Sequence, residues 1–139
     1  MQALLRILER AGGYRPTLYL KIENPPYMTL VIEATPEPGP LNLPSISVAH
    51  YGEQNGDLMR DPEMCFELSK PPLCNLELSV WYYRNDYMGV EQYSRFRDES
   101  NYVFVPDLYE QHEKFAELWD SNLRAQHFLE VFKDKSIRG

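Results

Sequence analysis

The chain has 139 residues, with 14 Lys and Arg against 21 Asp and Glu, so its formal net charge at pH 7 is -7. A chain of this length buries roughly two-thirds of its unfolded surface, which is enough for one hydrophobic core. No cluster of Lys or Arg is long enough to neutralise a row of phosphates, which argues against direct sequence-specific binding of DNA or RNA. An acidic surface can instead attract a basic patch on a partner.

The first third of the chain predicts a short helix and then a β-hairpin. Leu4, Leu5 and Leu8 recur at helical spacing, and Gly12-Gly13 supply a helix stop. From residue 18 the apolar period changes to two, and residues 18–23 and 27–33 flank the turn sequence Asn24-Pro25-Pro26. Four prolines between residues 34 and 44 predict a surface connection, since proline cannot donate to a strand ladder.

The rest of the chain predicts further strands and one long helix. Strand-like segments lie at residues 45–51, 64–68, 76–83, 87–96 and 102–105. A final helix is expected from Pro106-Asp107 to about Phe132, with Leu118 and Trp119 on its covered arc and Asp120 opposite. We therefore expect one α+β domain over residues 1–139: a single antiparallel sheet of about six or seven short strands packed by a long C-terminal helix and a short N-terminal helix.

Cysteine usage and the length of the apolar runs indicate the cellular compartment of the protein. Cys65 and Cys74 flank Pro71-Pro72 without a matching Cys and His set, so free buried cysteines are expected rather than zinc ligands. The N-terminal apolar run is too short for a signal peptide, and no run approaches the roughly twenty residues that a membrane helix needs. We expect a cytoplasmic protein with no membrane partner and no cofactor.

Polar and tyrosine side chains concentrate around three of the expected turns. If the sheet is an up-and-down meander, the turns near residues 24–26, 53–63 and 84–86 lie at one end of it. The expected partner-binding residues at this end are Tyr27, Tyr51, Glu53, Asn55, Asp57, Arg60, Asp61, Glu63, Arg84, Asn85, Asp86 and Tyr87. The two arginines are either structural ion pairs or hot-spot residues of a binding surface.

The segment 53–63 also raises the question of a metal site. Glu53, Asn55, Asp57, Asp61 and Glu63 carry hard oxygen donors of the type that holds calcium or magnesium. The spacing differs from an EF-hand, because the glycine precedes the third donor and Met64 stands at the position of the bidentate glutamate. A hydrogen-bonded loop with an Asn55-Gly56 turn and a second turn at Asp61-Pro62 is the favoured interpretation.

His50 offers the one candidate for acid–base chemistry. It shares the strand phase of Ile46 and Val48, so it is expected on the covered face as a core histidine, with Tyr51 pointing away. Asp57 or Asp86 could pair with it, but no nucleophile motif or phosphate-binding glycine loop accompanies them. A metal-assisted or acid–base enzyme acting on a nucleotide or nucleic acid is therefore the alternative hypothesis.

Three stretches carry a resemblance to a known family: residues 50–64, with the pattern HYxEQNGDLMRDPEM, then Arg84-Asn85-Asp86, then Trp119-Asp120. Nearly the whole chain resembles small uncharacterised domains of bacterial phages, plasmids and conjugative elements. The resemblance implies a genetic context and no reaction or catalytic residue. It favours a non-enzymatic interaction protein that binds a host or element-encoded protein, for example as an anti-CRISPR or other anti-defence protein.

Overall fold

The computed structural model describes residues 1–70 and 76–132 of the chain. Its elements in chain order are α1 (Gln2–Arg10), β1 (Tyr19–Ile22), β2 (Thr29–Ala34), β3 (Ser45–Gln54), β4 (Asp57–Ser69), β5 (Glu77–Asn85), β6 (Val90–Tyr93), β7 (Arg95–Asp98), β8 (Asn101–Phe104) and α2 (Pro106–Ala125). Strands β1 to β6 form an antiparallel meander in sequence order, and β7 pairs with β8 in a separate sheet. The α+β prediction is confirmed, with two strands outside the main sheet.

Both helices cover one face of the sheet, which we call the inner face. Leu4, Ile7 and Leu8 of α1 are buried, and the helix stops where Gly12 and Gly13 take positive φ angles. Alternate strand residues complete the core: Ile22, Leu30, Ile32, Ile46, Val48, Met64, Phe66 and Val80. In the part of the chain that the structure describes, no helix is both long and apolar enough to cross a membrane.

The buried stripe of α2 is rotated from the predicted arc. Leu118 is 59% exposed and Asp120 is 4% exposed, so both predictions were wrong. The reason is α1, which packs against α2 and presents N–H groups that have no partner inside their own helix. The Ala3 N–H donates to Asp120 Oδ1 at 2.8 Å, so this carboxylate caps the positive end of α1.

The last predicted helix is also interrupted. α2 ends at Ala125, His127 takes a φ of 63°, and residues 128–132 form a further helical segment. Asn24 Nδ2 donates to the Gln126 carbonyl at 2.6 Å, which ties this break to the β1–β2 connection. The break places Phe128 fully inside the core.

Two strand boundaries differ from the predictions. The segment 53–63 is mostly strand, because β3 and β4 extend to a two-residue turn in which Asn55 and Gly56 have φ angles of 53° and 85°. Asp61-Pro62 is not a turn: it lies within β4 where the register shifts opposite His50, and such a bulge accommodates a residue without an N–H.

Cys65 is free and buried, whereas Cys74 lies outside the described residues.

The predicted strand 87–96 is two strands, and its division shapes the opposite, outer face. The chain leaves the main sheet at Ser94, whose N–H donates to the Trp81 carbonyl at 3.0 Å. Beyond it, β7 brings Arg95 onto Glu67 of β4, with 2.7 Å between Nη1 and Oε1. Glu67 also accepts the Leu41 N–H at 2.8 Å, so the proline-containing connection is held over the same region.

The outer face therefore has two halves. We call the region around Glu67 and Arg95 the covered half, because both side chains are buried there. The region around Tyr51, Arg60 and Arg84 is the open half, where these side chains are partly accessible to solvent. The connections that contain or adjoin most of the residues predicted to bind a partner lie at the end of the sheet that bounds the open half, whereas Glu63 lies mid-strand on β4.

Candidate partner-binding surface

The structure brings three connections together at one end of the sheet, which we call the rim. They are the β1–β2 connection around Tyr27, the Asn55-Gly56 turn and the β5–β6 connection at residues 86–89. Gly52 lies between two of them, since an added Cβ there would be 2.5 Å from the Tyr87 hydroxyl and 3.1 Å from the Met28 sulfur. Tyr27 and Tyr87 are both exposed at the rim.

Asp86 joins the third connection to β4. Its N–H donates to the Arg60 carbonyl at 2.8 Å, and its Oδ2 accepts the Arg60 N–H at 2.8 Å. Arg84 Nε donates to Asp86 Oδ1 at 2.6 Å. Burial by itself would raise the pKa of the Asp86 carboxyl group, because it disfavours the charged form. The hydrogen bond from the Arg60 N–H and the Arg84 guanidinium have the larger, opposite effect, so the pKa is lowered. This carboxylate consequently fixes the backbone at Arg60.

The Arg60 side chain is held above the sheet by opposite charges and by an aromatic ring. Its Nε lies 3.3 Å from Glu63 Oε1, and Nη1 lies 4.0 Å from Asp86 Oδ2. Its Cζ lies 5.8 Å from the centre of the Tyr51 ring, a cation–π distance. Burial raises the pKa of Tyr51, although the adjacent Arg60 acts in the opposite direction. Arg60 is thus preorganised next to the tyrosine.

Asn85 has a structural position rather than a surface one. It is buried, its Nδ2 donates to Asp61 Oδ1 at 2.6 Å, and its Oδ1 accepts the Met88 N–H at 3.1 Å. These bonds satisfy both ends of the amide. A partner at the rim would therefore not reach Asn85, although the sequence analysis grouped it with the accessible residues.

The carboxylates that were weighed as metal ligands, and not favoured as such, are spread along strands. Glu53 lies opposite Leu58 and Asp57 opposite Gln54, so these two carboxylates belong to different faces of the hairpin. Asp57 and Asp61 are separated by about 13 Å of extended chain. Within residues 1–70 and 76–132, no group of three or more His, Cys, Asp or Glu side chains is placed to hold a metal ion.

A groove of about 530 Å³ lies in the open half of the outer face, and we call it the outer groove. Its lining residues from four neighbouring strands are Tyr19, Lys21, Thr29, Val31, Glu33, Tyr51, Gly52, Glu53, Leu58 and Arg60. Leu58 is 73% exposed and Tyr19 is 56% exposed. The residues predicted from sequence include Tyr51, Glu53 and Arg60 of this lining but none of those from β1 and β2. The period-two alternation around Leu18 and Leu20 was the available signal, because it also assigns Tyr19 and Lys21 to the outer face.

A smaller cleft of about 240 Å³ lies on the other side of the rim, between the sheet and α2, and we call it the inner cleft. Tyr27 and Asp61 of the predicted set line it, together with His50 and Trp119. His50 is a buried core residue, as predicted, with its ring centre 5.5 Å from that of Trp119. Its Nδ1 lies 3.0 Å from the Met28 carbonyl, which can only accept, so Nδ1 carries the proton.

The carboxylate that affects the pKa of His50 is not one of the two suggested from the sequence. Burial lowers the pKa of the ring, and the carboxylate that opposes this shift is Asp61, rather than the suggested Asp57 or Asp86. His50 is accordingly neutral at physiological pH. The ring serves as a hydrogen-bonded part of the aromatic core.

A family model described as a domain of unknown function, DUF6908, matches residues 2–129. The match spans most of the chain, so the chain belongs to this family. No curated protein matches it, and no solved structure does.

Proposed function

We propose that this member of the DUF6908 family is a non-enzymatic interaction protein that binds another protein through its outer groove. The single observation that carries the proposal is the exposure of Leu58 beside the preorganised Tyr51–Arg60 pair, with the exposed Tyr19 in the same groove. Tyrosine and arginine are enriched at interface hot spots, because they supply contact area and directed polar contacts together. Apolar side chains at their centre add the burial that such interfaces need.

The rigidity of the groove supports binding. Tyr51 and Arg60 are directly paired across β3 and β4, and Asp86 fixes the Arg60 backbone. A surface that is already ordered loses little conformational freedom on association, and more of the contact energy then appears as affinity. We therefore propose docking without a large rearrangement of the sheet.

The proposed biological setting rests on the resemblance described above. A protein of a phage, plasmid or conjugative element that binds host machinery in the cytoplasm would fit a small acidic domain with one preorganised surface. We propose a host or element-encoded protein as the partner, with a CRISPR nuclease or another defence protein as the leading class.

Affinity capture with matched variants tests the binding surface. Tyr51→Ala removes the ring beside Arg60, and Leu118→Ala is the control because it truncates an exposed leucine on α2. We expect the tagged wild type and Leu118→Ala to capture the same stoichiometric partner, and Tyr51→Ala to lose at least about tenfold in affinity, a typical hot-spot effect. Thermal unfolding confirms that both variants are folded. Undiminished capture by Tyr51→Ala, or loss in Leu118→Ala instead, would contradict the proposal.

The second candidate is a metal-assisted or acid–base enzyme acting on a nucleotide or nucleic acid. The proximity of His50 and Asp61 in the inner cleft favours it. It ranks second because the His50 ring is packed against Trp119 and Phe128. Calorimetry with Mg²⁺, Mn²⁺ and nucleoside triphosphates tests it: binding that Asp61→Asn abolishes supports the enzyme, and no heat of binding counts against it.

A further inference from the structure

Resting on the proposed function, we infer that the outer groove receives an extended basic segment of the partner protein. The groove contains two negative charges that no neighbouring cation compensates in the described ranges. Lys21 pairs with Glu23 at 3.5 Å, and Arg60 is engaged by Glu63 and Asp86. Glu33 and Glu53 line the same groove, and neither makes an ion pair with any residue in the described ranges.

The spacing of these two carboxylates sets the shape of the segment. Glu33 lies opposite Ser47 on β3, and Glu53 is six positions further along the same strand. Six residues of extended chain span about 20 Å. One carboxylate therefore lies toward each end of the groove, with Val31 and Tyr51 between them and Leu58 beside Glu53. A complementary segment carries two basic side chains about six residues apart with apolar side chains between them.

The aromatic rings of the groove suit the same partner. The Tyr51 ring already faces one guanidinium, that of Arg60, at 5.8 Å. Tyr19, whose ring is largely exposed, offers an equivalent surface to a second cation near Lys21 and Glu33. An arginine side chain that stacks on a tyrosine ring and also bonds to a carboxylate obtains binding free energy from both contacts.

Other occupants fit the charges less well. A phosphate-bearing partner would meet two uncompensated carboxylates on a chain of net charge -7. A second copy of this chain would bring the same negative charge to the groove, which opposes self-association. A basic protein segment is the occupant with both charge and shape complementarity.

A peptide-binding experiment tests this inference directly. The probe is a fluorescein-labelled, threonine- and valine-rich peptide with two arginines about six residues apart, and the control peptide has glutamates in their place. We expect the arginine peptide to bind, the glutamate peptide to fail, and the double variant Glu33→Gln/Glu53→Gln to weaken binding about fivefold to tenfold, as for two partly exposed ion pairs.

A matched variant separates the groove from the general acidity of the chain. Glu113→Gln/Glu117→Gln removes the same charge from the exposed face of α2, so it should leave peptide affinity unchanged. Equal weakening by both double variants, or no weakening by Glu33→Gln/Glu53→Gln, would overturn the inference. Sedimentation of the wild type as a dimer that the groove variant dissociates would also overturn it in favour of self-association.

The outcomes distinguish this inference from the proposal on which it rests. If Tyr51→Ala loses the captured partner while Glu33→Gln/Glu53→Gln keeps full affinity for it, protein binding stands and the basic segment is wrong. If Tyr51→Ala retains the partner, the outer groove is not the docking surface.

Discussion

The two halves of the outer face are built on the same strands and contain the same kinds of charged residues, but they use them differently. In the covered half, Glu67 and Arg95 are buried and tie three segments together, since Arg95 also donates to the Val80 carbonyl at 3.0 Å. In the open half, Arg60, Arg84 and Asp86 form a partly exposed network. Water screens the second set and not the first. The buried set therefore stabilises the fold, and the partly exposed set remains accessible at the proposed binding surface.

Replacing Arg95 by Met gives the largest expected loss of stability. It leaves Glu67 buried without its cation, which typically costs about 3–5 kcal/mol of unfolding free energy. Urea denaturation of Arg95→Met measures the loss. The double variant Glu67→Gln/Arg95→Met should recover part of it, because no buried charge remains unpaired. A loss of unfolding free energy below about 1 kcal/mol would mean that the Arg95–Glu67 pair contributes no more than an exposed ion pair.

Gly39→Ala should have the next largest effect. An added Cβ would lie 2.1 Å from Glu67 Cγ, inside the covered half, and overpacking of this kind costs about 1–3 kcal/mol. Gly52→Ala is the matched control, since the nearest atom to its Cβ is the hydroxyl end of the exposed Tyr87 ring, which can move away. Equal destabilisation of the two variants, measured by thermal unfolding, would remove the contrast between the halves.

Arg84→Gln should cost little although it breaks a close ion pair. Its Nε lies 2.6 Å from Asp86 Oδ1, but the Arg84 side chain is about one-third exposed, and such pairs contribute about 0.2–1 kcal/mol. Chemical denaturation at low and at high salt measures the contribution, which should shrink as salt screens it. A loss comparable with that of Arg95→Met would show that the open half also holds the fold.

The smallest expected effect is a change in pH dependence on the inner face. Burial lowers the pKa of His50 and of His112, so the unfolded chain binds protons that the folded chain does not. The contribution of the two neutral histidines to the free energy of unfolding is therefore complete above the unfolded pKa of 6.5. This contribution is lost as the pH falls toward the lower pKa values of the folded protein. His50→Gln should show a shallower loss of unfolding free energy between about pH 6.5 and 5. An unchanged slope would mean that His50 binds protons equally in the folded and unfolded chains, so that burial does not lower its pKa.

Several features of the site could be read from local sequence. Asn55-Gly56 predicted the tight turn because both residues accept positive φ, and the phase of Ile46 and Val48 predicted that His50 faces the core. The extension of β4 through Asp61-Pro62 could not be read in this way. A polar segment containing proline looks like a loop unless its pairing partner is known, and that partner is β3.

The sequence by itself determined the fold class, the order of most elements and the alternation of faces along the strands, because these follow from the steric preferences and polarity of adjacent residues. Only the tertiary structure decided that Asp120 caps α1, that Arg95 meets Glu67, and that β1 and β2 contribute to the outer groove. These contacts join residues far apart in the chain, and loop closure and packing, not local preference, determine which distant segments meet.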